Sequence, residues 1–421
     1  MKYKILYSLA LVFGIVLPVS IKLGNVVLGI LLGIILMIIL KKGKYQLQFD
    51  KRILFFSTIP FFLLLIQGLF ITENLSQGFG LLGRYATYLL TPVLFCFLDK
   101  ETVIKTKENA QKGLVVGVIL ASIILLTNNF IKYYSHKPLF TIDKDLFNYY
   151  HTYYNFTEIL KIHPSYFGMY VLLATAISIS YVFNDKNRIF RILYLLTIGV
   201  YSMVMVFLNA RVVTVLFFVI LIVFIFVVLK RIAFRNKIVF SVSILMILIS
   251  TILFYNTVKN TYLLSRFTDE LKWELTPNKN SIYNGKTSAD SRIVRWNSSI
   301  SVIQEKPVFG HGCAMEKQVL EKQFLKDQLY FSAKNQYDAH NQYLSFAIEF
   351  GLTGILCFLV FLFSNIYFSL KRKDYIALTL FVTLLSVSLF EDVFKNNAGI
   401  IFIALFSNLF LYVNRQDEIN Y

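Results

Sequence analysis

Between Ser288 and Gly354 the chain reads SADSRIVRWNSSISVIQEKPVFGHG, then a polar stretch, then YDAHNQYLSFAIEFGLTG. His340 sits where this polar segment runs into an apolar one. A histidine there reaches both water-borne and lipid-borne molecules, and its ordinary pKa suits a general base near neutral pH; the plainer reading is an interfacial polar residue ending a loop. Arg292 and Arg295 bring two cations a few residues upstream, one suited to gripping a substrate, the other to solvent or lipid headgroups. Arg211 follows the short turn Leu208-Asn209-Ala210 at the start of an apolar run. A guanidinium in that place can hold phosphate oxygens bidentately at the bilayer surface, or merely snorkel to the interface. Glu391-Asp392 closes another apolar run and could orient His340 or a basic partner.

Further upstream, Tyr149 to Tyr166 reads YYHTYYNFTEILKIHPSY. Tyrosines at this density are best explained as a membrane-interface belt, with stacking on sugar faces the second reading. His163-Pro164-Ser165-Tyr166 is the more specific part, at the mouth of an apolar run. No Walker loop, dinucleotide fingerprint or HExxH pattern appears in a suitable context, so no cofactor and no metal site is expected. Cys96, Cys313 and Cys357 are too few and too scattered for a disulfide framework or a zinc site.

The elements that must hold these residues are membrane helices. The 421 residues are 57% hydrophobic and 16% aromatic, with 41 phenylalanines, and the mean hydropathy is +0.62. A water-facing globular surface excludes such a composition. Apolar runs long enough to cross a bilayer recur near 4–20, 24–41, 52–71, 79–98, 112–130, 164–183, 189–208, 211–229, 238–256, 342–370, 374–391 and 397–414. The expectation is an all-α integral membrane protein with about twelve transmembrane helices. Its parts would be a membrane domain over 1–256, a large extracytoplasmic loop with short amphipathic helices over 257–339, and a second membrane portion with a short tail over 340–421.

The net charge of +18 sits in short loops rather than on a soluble face, which argues against nucleic acid. KKGKYQLQFDKR, DKETVIKTKENAQK, NDKNRIFR, KRIAFRNK and KRKD carry the basic residues, while SIKLGN, ITENLSQGFG, NAR and EDVFKNN carry at most one apiece. By the positive-inside rule the former are cytoplasmic. His163, Arg211, Arg292, His340 and Glu391 then all fall on the outer side of a cytoplasmic membrane. In the large loop, Ser288 or Asp290 is expected to cap a helix running to Glu305, stopped by Pro307. Ile293, Trp296, Ile300 and Ile303 would form its apolar stripe, lying on the membrane with Trp296 among the headgroups. A second amphipathic helix is expected over 314–330.

Taken in order, these residues resemble the O-antigen ligase and polymerase family of bacterial membrane glycosyltransferases. The pattern is Arg292 four before Trp296, Pro307-Val308-Phe309-Gly310-His311-Gly312, then His340-Asn341-Gln342-Tyr343-Leu344, Glu349, Gly351 and Gly354. Arg211 matches the arginine after a short outer turn, although the family's Ser-x-Arg is here Asn209-Ala210-Arg211. Glu391 looks like the family's C-terminal acidic position, and His163-Pro164-Ser165-Tyr166 like a tract found in a subset of members.

The resemblance implies a metal-independent transfer of a glycan from undecaprenyl pyrophosphate to an acceptor hydroxyl at the periplasmic face of the inner membrane. His340 would act as general base and Arg211 and Arg292 would bind the pyrophosphate. Asn341, Glu391, His163, Tyr166 and Trp296 would help bind substrate; His311 has no role. The acceptor would be lipid A-core for an O-antigen ligase, or a growing glycan for a polymerase. A transporter or flippase of lipid-linked sugars is the reading from another class. It would place charges or broken helices near the midplane, and the expected spans carry almost no internal charge.

Overall fold

The computed structural model describes residues 2–42, 64, 66–233, 237–283 and 287–412. Helices α1 (Lys2–Val16), α2 (Ile21–Lys42), α3 (Leu75–Phe95) and α4 (Lys100–Tyr134) come first. They are followed by α5 (Pro164–Asn184), α6 (Arg188–Leu208), α7 (Arg211–Ala233) and α8 (Lys237–Val258). The polar insertion then forms α9 (Asp269–Glu274), the antiparallel hairpin β1 (Ser281–Tyr283) and β2 (Thr287–Ala289), α10 (Arg292–Glu305), α11 (Glu316–Lys326) and α12 (Tyr330–Lys334). The chain ends in α13 (Gln342–Lys371), α14 (Tyr375–Val387) and α15 (Asn397–Tyr412).

Seven of the described helices, α2, α4 to α8 and α13, are long and apolar enough to cross a membrane, and three shorter apolar helices accompany them. The protein is an all-α membrane protein, with one small hairpin in its insertion. The expected span at 52–71 lies largely outside the described residues; each of the other expected stretches contains a helix.

The chain divides into two compact units, Met1–Gly117 with Lys272–Tyr421, and Val118–Leu271. In the first, α15 packs against α2, α3 and α14, and its residues from Ala398 to Tyr412 are all buried. That explains its sequence: a helix apolar all round is one enclosed by others. In the second, α5 plays the same part against α6 and α7, buried from Pro164 to Ser178.

The basic stretch 99–112, expected as a loop, is instead helix from Lys100 onward, continuous with the span that follows it. Its Lys, Glu, Thr and Gln residues include no proline or glycine to stop a helix. Lys107 is 2% exposed, with Nζ 3.5 Å from Asp374 Oδ2 and 4.7 Å from the Phe410 ring centroid.

The insertion has an apolar core of Val294, Val302, Leu320, Phe324, Leu329, Ala333 and Ala339, completed by Ile348 of α13. Helix α10 ends at Glu305 as expected, but its N-cap is Ser291. Asp290 is engaged elsewhere, accepting from the backbone N–H groups of Asn280 at 2.7 Å and Ser332 at 2.9 Å. The fully buried face is Val294, Arg295, Ser298, Ser299 and Val302; of the expected stripe, Ile293 and Ile303 are partly buried against the same core and Ile300 is exposed. Hydropathy misses this face because the hydroxyls of Ser298 and Ser299 bond back to the carbonyls of Val294 and Arg295 and so bury without loss. The second expected helix is two, α11 and α12, separated where Gln328 takes a positive φ of 61°.

Candidate active site

His340 is placed by a sharp reversal of backbone. Its φ is 47°, in the left-handed region, which histidine tolerates better than most residues. The chain then swings to Asn341, extended at φ −156°, whose side chain caps α13 by accepting from the N–H groups of Tyr343 at 3.0 Å and Leu344 at 3.3 Å. The histidine is thereby turned off the helix axis at the helix mouth. Nδ1 lies 3.1 Å from Asp338 Oδ1, and that oxygen also accepts the His340 backbone N–H at 3.1 Å.

The residue before it is held from two sides. Trp296 donates its indole N–H to the Ala339 carbonyl at 3.0 Å, so the polar edge of this side chain is engaged inside the protein rather than among headgroups. Glu316 accepts the Ala339 N–H at 3.0 Å and the Ser345 hydroxyl at 2.8 Å. Lys395 reaches Glu316 at 2.6 Å and Glu349 at 3.0 Å. Burial works against the charge on Lys395, but Glu316, Glu349 and Asp392 outweigh it and hold its pKa well above the ordinary lysine value.

The cations lie on the neighbouring face of α10. Arg292 Nε is 3.8 Å from Glu274 Oε2, and its guanidinium carbon is 5.7 Å from the Phe390 ring centroid. Arg295, 6% exposed, stacks over Tyr337 at 5.3 Å, and the Tyr337 ring is 5.9 Å from that of His340. Burial, then the positive charge of Arg295, pushes the His340 pKa down to about 3; Glu391 opposes this and Arg292 adds to it. The ring is still 38% exposed, so it is crowded by protein and cations yet open at the surface.

Behind the histidine, α13 is broken at Gly351, with φ 63° and ψ −153°. The Pro307–Gly312 turn fits into the break. The carbonyls of Ile348 and Glu349 accept the N–H groups of His311 and Gly312, each at 2.8 Å, and the Pro307 carbonyl accepts Leu352 N–H at 2.8 Å. A Cβ on Gly310 would stand 2.5 Å from Glu349 backbone, and one on Gly351 would stand 2.4 Å from Val308 backbone. This close approach is why positions 310 and 351 carry glycine. His311 is structural, its ring nitrogen 3.0 Å from the Val302 carbonyl.

Residues of the second unit form a separate polar group. Asn209, at φ 45°, ends α6, and Arg211 opens α7. Glu270 Oε2 lies 3.3 Å from Arg211 Nη2 and 3.4 Å from Arg266 Nη1. Arg266 also donates to the Asn209 carbonyl at 3.1 Å and stacks on Tyr153 at 3.5 Å. His163 caps α5, accepting the Ser165 N–H at 3.2 Å, with its ring 6.1 Å from Tyr153 and 5.8 Å from Tyr166, which is buried. His163, Tyr166 and Arg211 are thus linked through Tyr153, Arg266 and Glu270. Arg292, Trp296, His340, Asn341 and Glu391 belong to the first unit.

The sequence reading missed Asp338, Glu316, Lys395, Glu274, Arg266 and Glu270. Asp338 stands two residues before a flagged histidine and was within reach of inspection. The others are charged residues in polar loops, where spacing sets no charge apart from its solvated neighbours.

Fold and site together define a polytopic helical membrane protein whose folded insertion presents a histidine beside two arginines. Residues 192–359 match the family described as O-antigen ligase, so this part of the chain is similar to that family. The match runs from α6 into α13 and includes Arg211, Arg292 and His340, while His163, Tyr166 and Glu391 lie outside it. An uncharacterized protein of Haemophilus influenzae is 31% identical over 96 residues, 22% of this chain and 23% of that protein. The chain thus spans about a quarter of that relative's length.

Proposed function

We propose that this protein transfers a glycan from undecaprenyl pyrophosphate to an acceptor hydroxyl at the outer face of the cytoplasmic membrane. It acts as a ligase that joins O-antigen or a related surface polysaccharide to lipid A-core. The observation that carries this reading is the placement of His340, open at the mouth of α13 with Nδ1 against Asp338, beside the arginines of α10. With Nδ1–H directed at Asp338, Nε2 is the free base. It takes the proton of the acceptor hydroxyl as that oxygen attacks the anomeric carbon. The bond from that carbon to the pyrophosphate oxygen breaks, and the electron pair leaves with undecaprenyl pyrophosphate.

Attack opposite the leaving group inverts the anomeric centre. Arginine cations rather than a metal ion meet the developing charge, which fixed charges in a water-poor site stabilise well. For Arg211 the support is the family resemblance and its place at the first turn of α7. Polymerisation of repeat units uses the same donor, base and arginines and is the second reading. The positive-inside pattern supports the outward orientation.

Surface glycolipids resolved on a gel from a deletion strain, complemented with wild type or His340→Ala, test the proposal. Loss of all long chains from the lipid anchor, with polymer accumulating on the carrier, supports ligation. A single repeat unit on the anchor means polymerisation. An unchanged ladder refutes both and returns the protein to the transport reading.

A further inference from the structure

Just beyond α4 the polar loop carries an apolar tip. Leu139, Phe140 and Ile142 are all exposed, Phe140 by 93%. Ion pairs and hydrogen bonds close the base of this finger. Lys137 Nζ lies 2.7 Å from Asp143 Oδ2 and 2.6 Å from Asp145 Oδ2. Tyr133, in the last turn of α4, donates its hydroxyl to Asp143 Oδ1 at 2.9 Å. Across the tip, the Thr141 N–H meets the Pro138 carbonyl at 3.3 Å, and Phe140 takes a φ of 66°. A bulky residue stays in that region only where its surroundings hold it there. The tip is therefore a fixed display of apolar surface, and such surface marks a contact site.

The direction of the finger identifies the partner. Leu139 lines a groove of about 510 Å³ together with Ile123, Leu126, Phe130 and Ile131 of α4 and Val200 of α6. The finger thus folds back along the helix rather than standing away from it. From Tyr134 to Ile123 the groove follows α4 for roughly 16 Å at the α-helical rise per residue, about one leaflet's share of a hydrocarbon core. Helix α4 is long and apolar enough to span a membrane, and Ile123 and Ile131 are exposed on it. Lys137, Asp143 and Asp145 are paired with one another, so the tip can enter hydrocarbon without drawing an isolated charge toward it.

We propose that residues 138–142 form a membrane-inserted finger. Leu139, Phe140 and Ile142 enter the acyl chains of the leaflet at the C-terminal end of α4, and lipid hydrocarbon fills the groove beneath them. Tyr133 packs edge-on against His151 at 5.5 Å, and Phe147 stacks on Phe207 at 6.0 Å. The base of the finger is thereby continuous with the loop leading to His163 and with the end of α6 before Arg211, and the finger sets the height of both at the bilayer surface. The contact does not depend on the reaction proposed above.

The test uses the full chain carrying Phe140→Trp, in nanodiscs of phosphatidylethanolamine and phosphatidylglycerol with either plain or brominated acyl chains. Wild type, with Trp273 and Trp296 only, supplies the background to subtract. The added emission should be blue-shifted, should lose about half or more of its intensity to brominated chains, and should be insensitive to aqueous iodide. Ile142→Trp reads the same contact from the other side of the tip if Phe140→Trp does not fold. Added emission quenched by iodide and indifferent to bromine places the tip in water and overturns the proposal. Emission indifferent to both quenchers means that protein covers the tip, a second copy or another chain, and overturns it equally.

Discussion

Asp338 Oδ1 lies 3.1 Å from Nδ1 of His340 and also accepts that residue's backbone N–H. One carboxylate oxygen therefore sets both the rotation of the imidazole and the left-handed backbone that carries it. Asp338→Asn keeps the size but replaces an acceptor with an amide that can present N–H to Nδ1, favouring the wrong tautomer. Glycan transfer should fall by about 10²- to 10⁴-fold, as when the carboxylate that sets the tautomer of a general-base histidine becomes an amide, with acceptor KM nearly unchanged. Activity within twofold of wild type would show that Asp338 does not position the base.

His340→Gly separates chemistry from folding. Glycine adopts φ near 47° without strain, so the variant should melt no lower than wild type while transfer falls by about 10²-fold or more. If the melting temperature drops sharply, the histidine holds the structure rather than reacting.

The acid side of the pH profile follows from the charges around the ring. Burial and Arg295 depress the His340 pKa to about 3, with Arg292 assisting and Glu391 and Glu316 opposing. In the ligand-free protein the ring should stay neutral from pH 8 to pH 5 when followed by NMR. A base so weak is a poor proton acceptor, but a bound anion that neutralises the arginines raises its pKa. The acid limb of kcat should therefore lie at higher pH than that of kcat/KM. For folding the sign runs one way: the folded pKa is below the unfolded value, so this group's contribution is full above about pH 6.5 and declines as pH falls toward 3. A ligand-free titration near 6.5 would contradict the whole arrangement.

The membrane helices were legible in the sequence because length and hydropathy are local properties; α5, α6 and α7 begin within a residue of the apolar runs at 164, 189 and 211. The reversal at His340 was legible only in part. Asn341 was noted, but its work as the cap of α13 depends on backbone geometry that a residue type does not reveal. The buried face of α10 was misread, since Ser298 and Ser299 count as polar until their hydroxyls are seen bonded to the preceding turn. Glu316 and Lys395 are 79 positions apart, and no periodicity joins residues at such separation.

That pair yields its own expectation. Glu316 links Lys395 at 2.6 Å, the Ala339 N–H and the Ser345 hydroxyl. Glu316→Gln removes its charge and leaves Lys395 in a buried setting without its nearest carboxylate, with only Glu349 and Asp392 to balance it. Breaking one partner of such a pair destabilises by about 3 kcal/mol, visible as a fall of several degrees in melting temperature. Adding Lys395→Met should recover part of the loss, since the poorly balanced cation is then gone. If the double variant is less stable than Glu316→Gln alone, the two residues are not coupled in this way.

Gly351 is the hinge on which the site's backing depends. Its φ of 63° and ψ of −153° belong to a region open in practice to glycine alone, and a Cβ there would lie 2.4 Å from Val308 backbone. Gly351→Ala must either push out the Pro307–Gly312 turn or regularise α13. Either change breaks the hydrogen bonds by which His311, Gly312 and Leu352 close the gap. A loss of about 2 kcal/mol or more is expected, with transfer activity falling along with it, because α13 carries both the kink and Asn341, the cap that turns His340 outward. Gly354→Ala is the useful contrast: its added Cβ meets the Phe350 side chain at 2.6 Å and the Phe346 carbonyl at 2.7 Å within regular helix. It tests crowding without the backbone strain. Equal damage from the two substitutions would mean that packing, not the left-handed geometry of Gly351, is what the position requires.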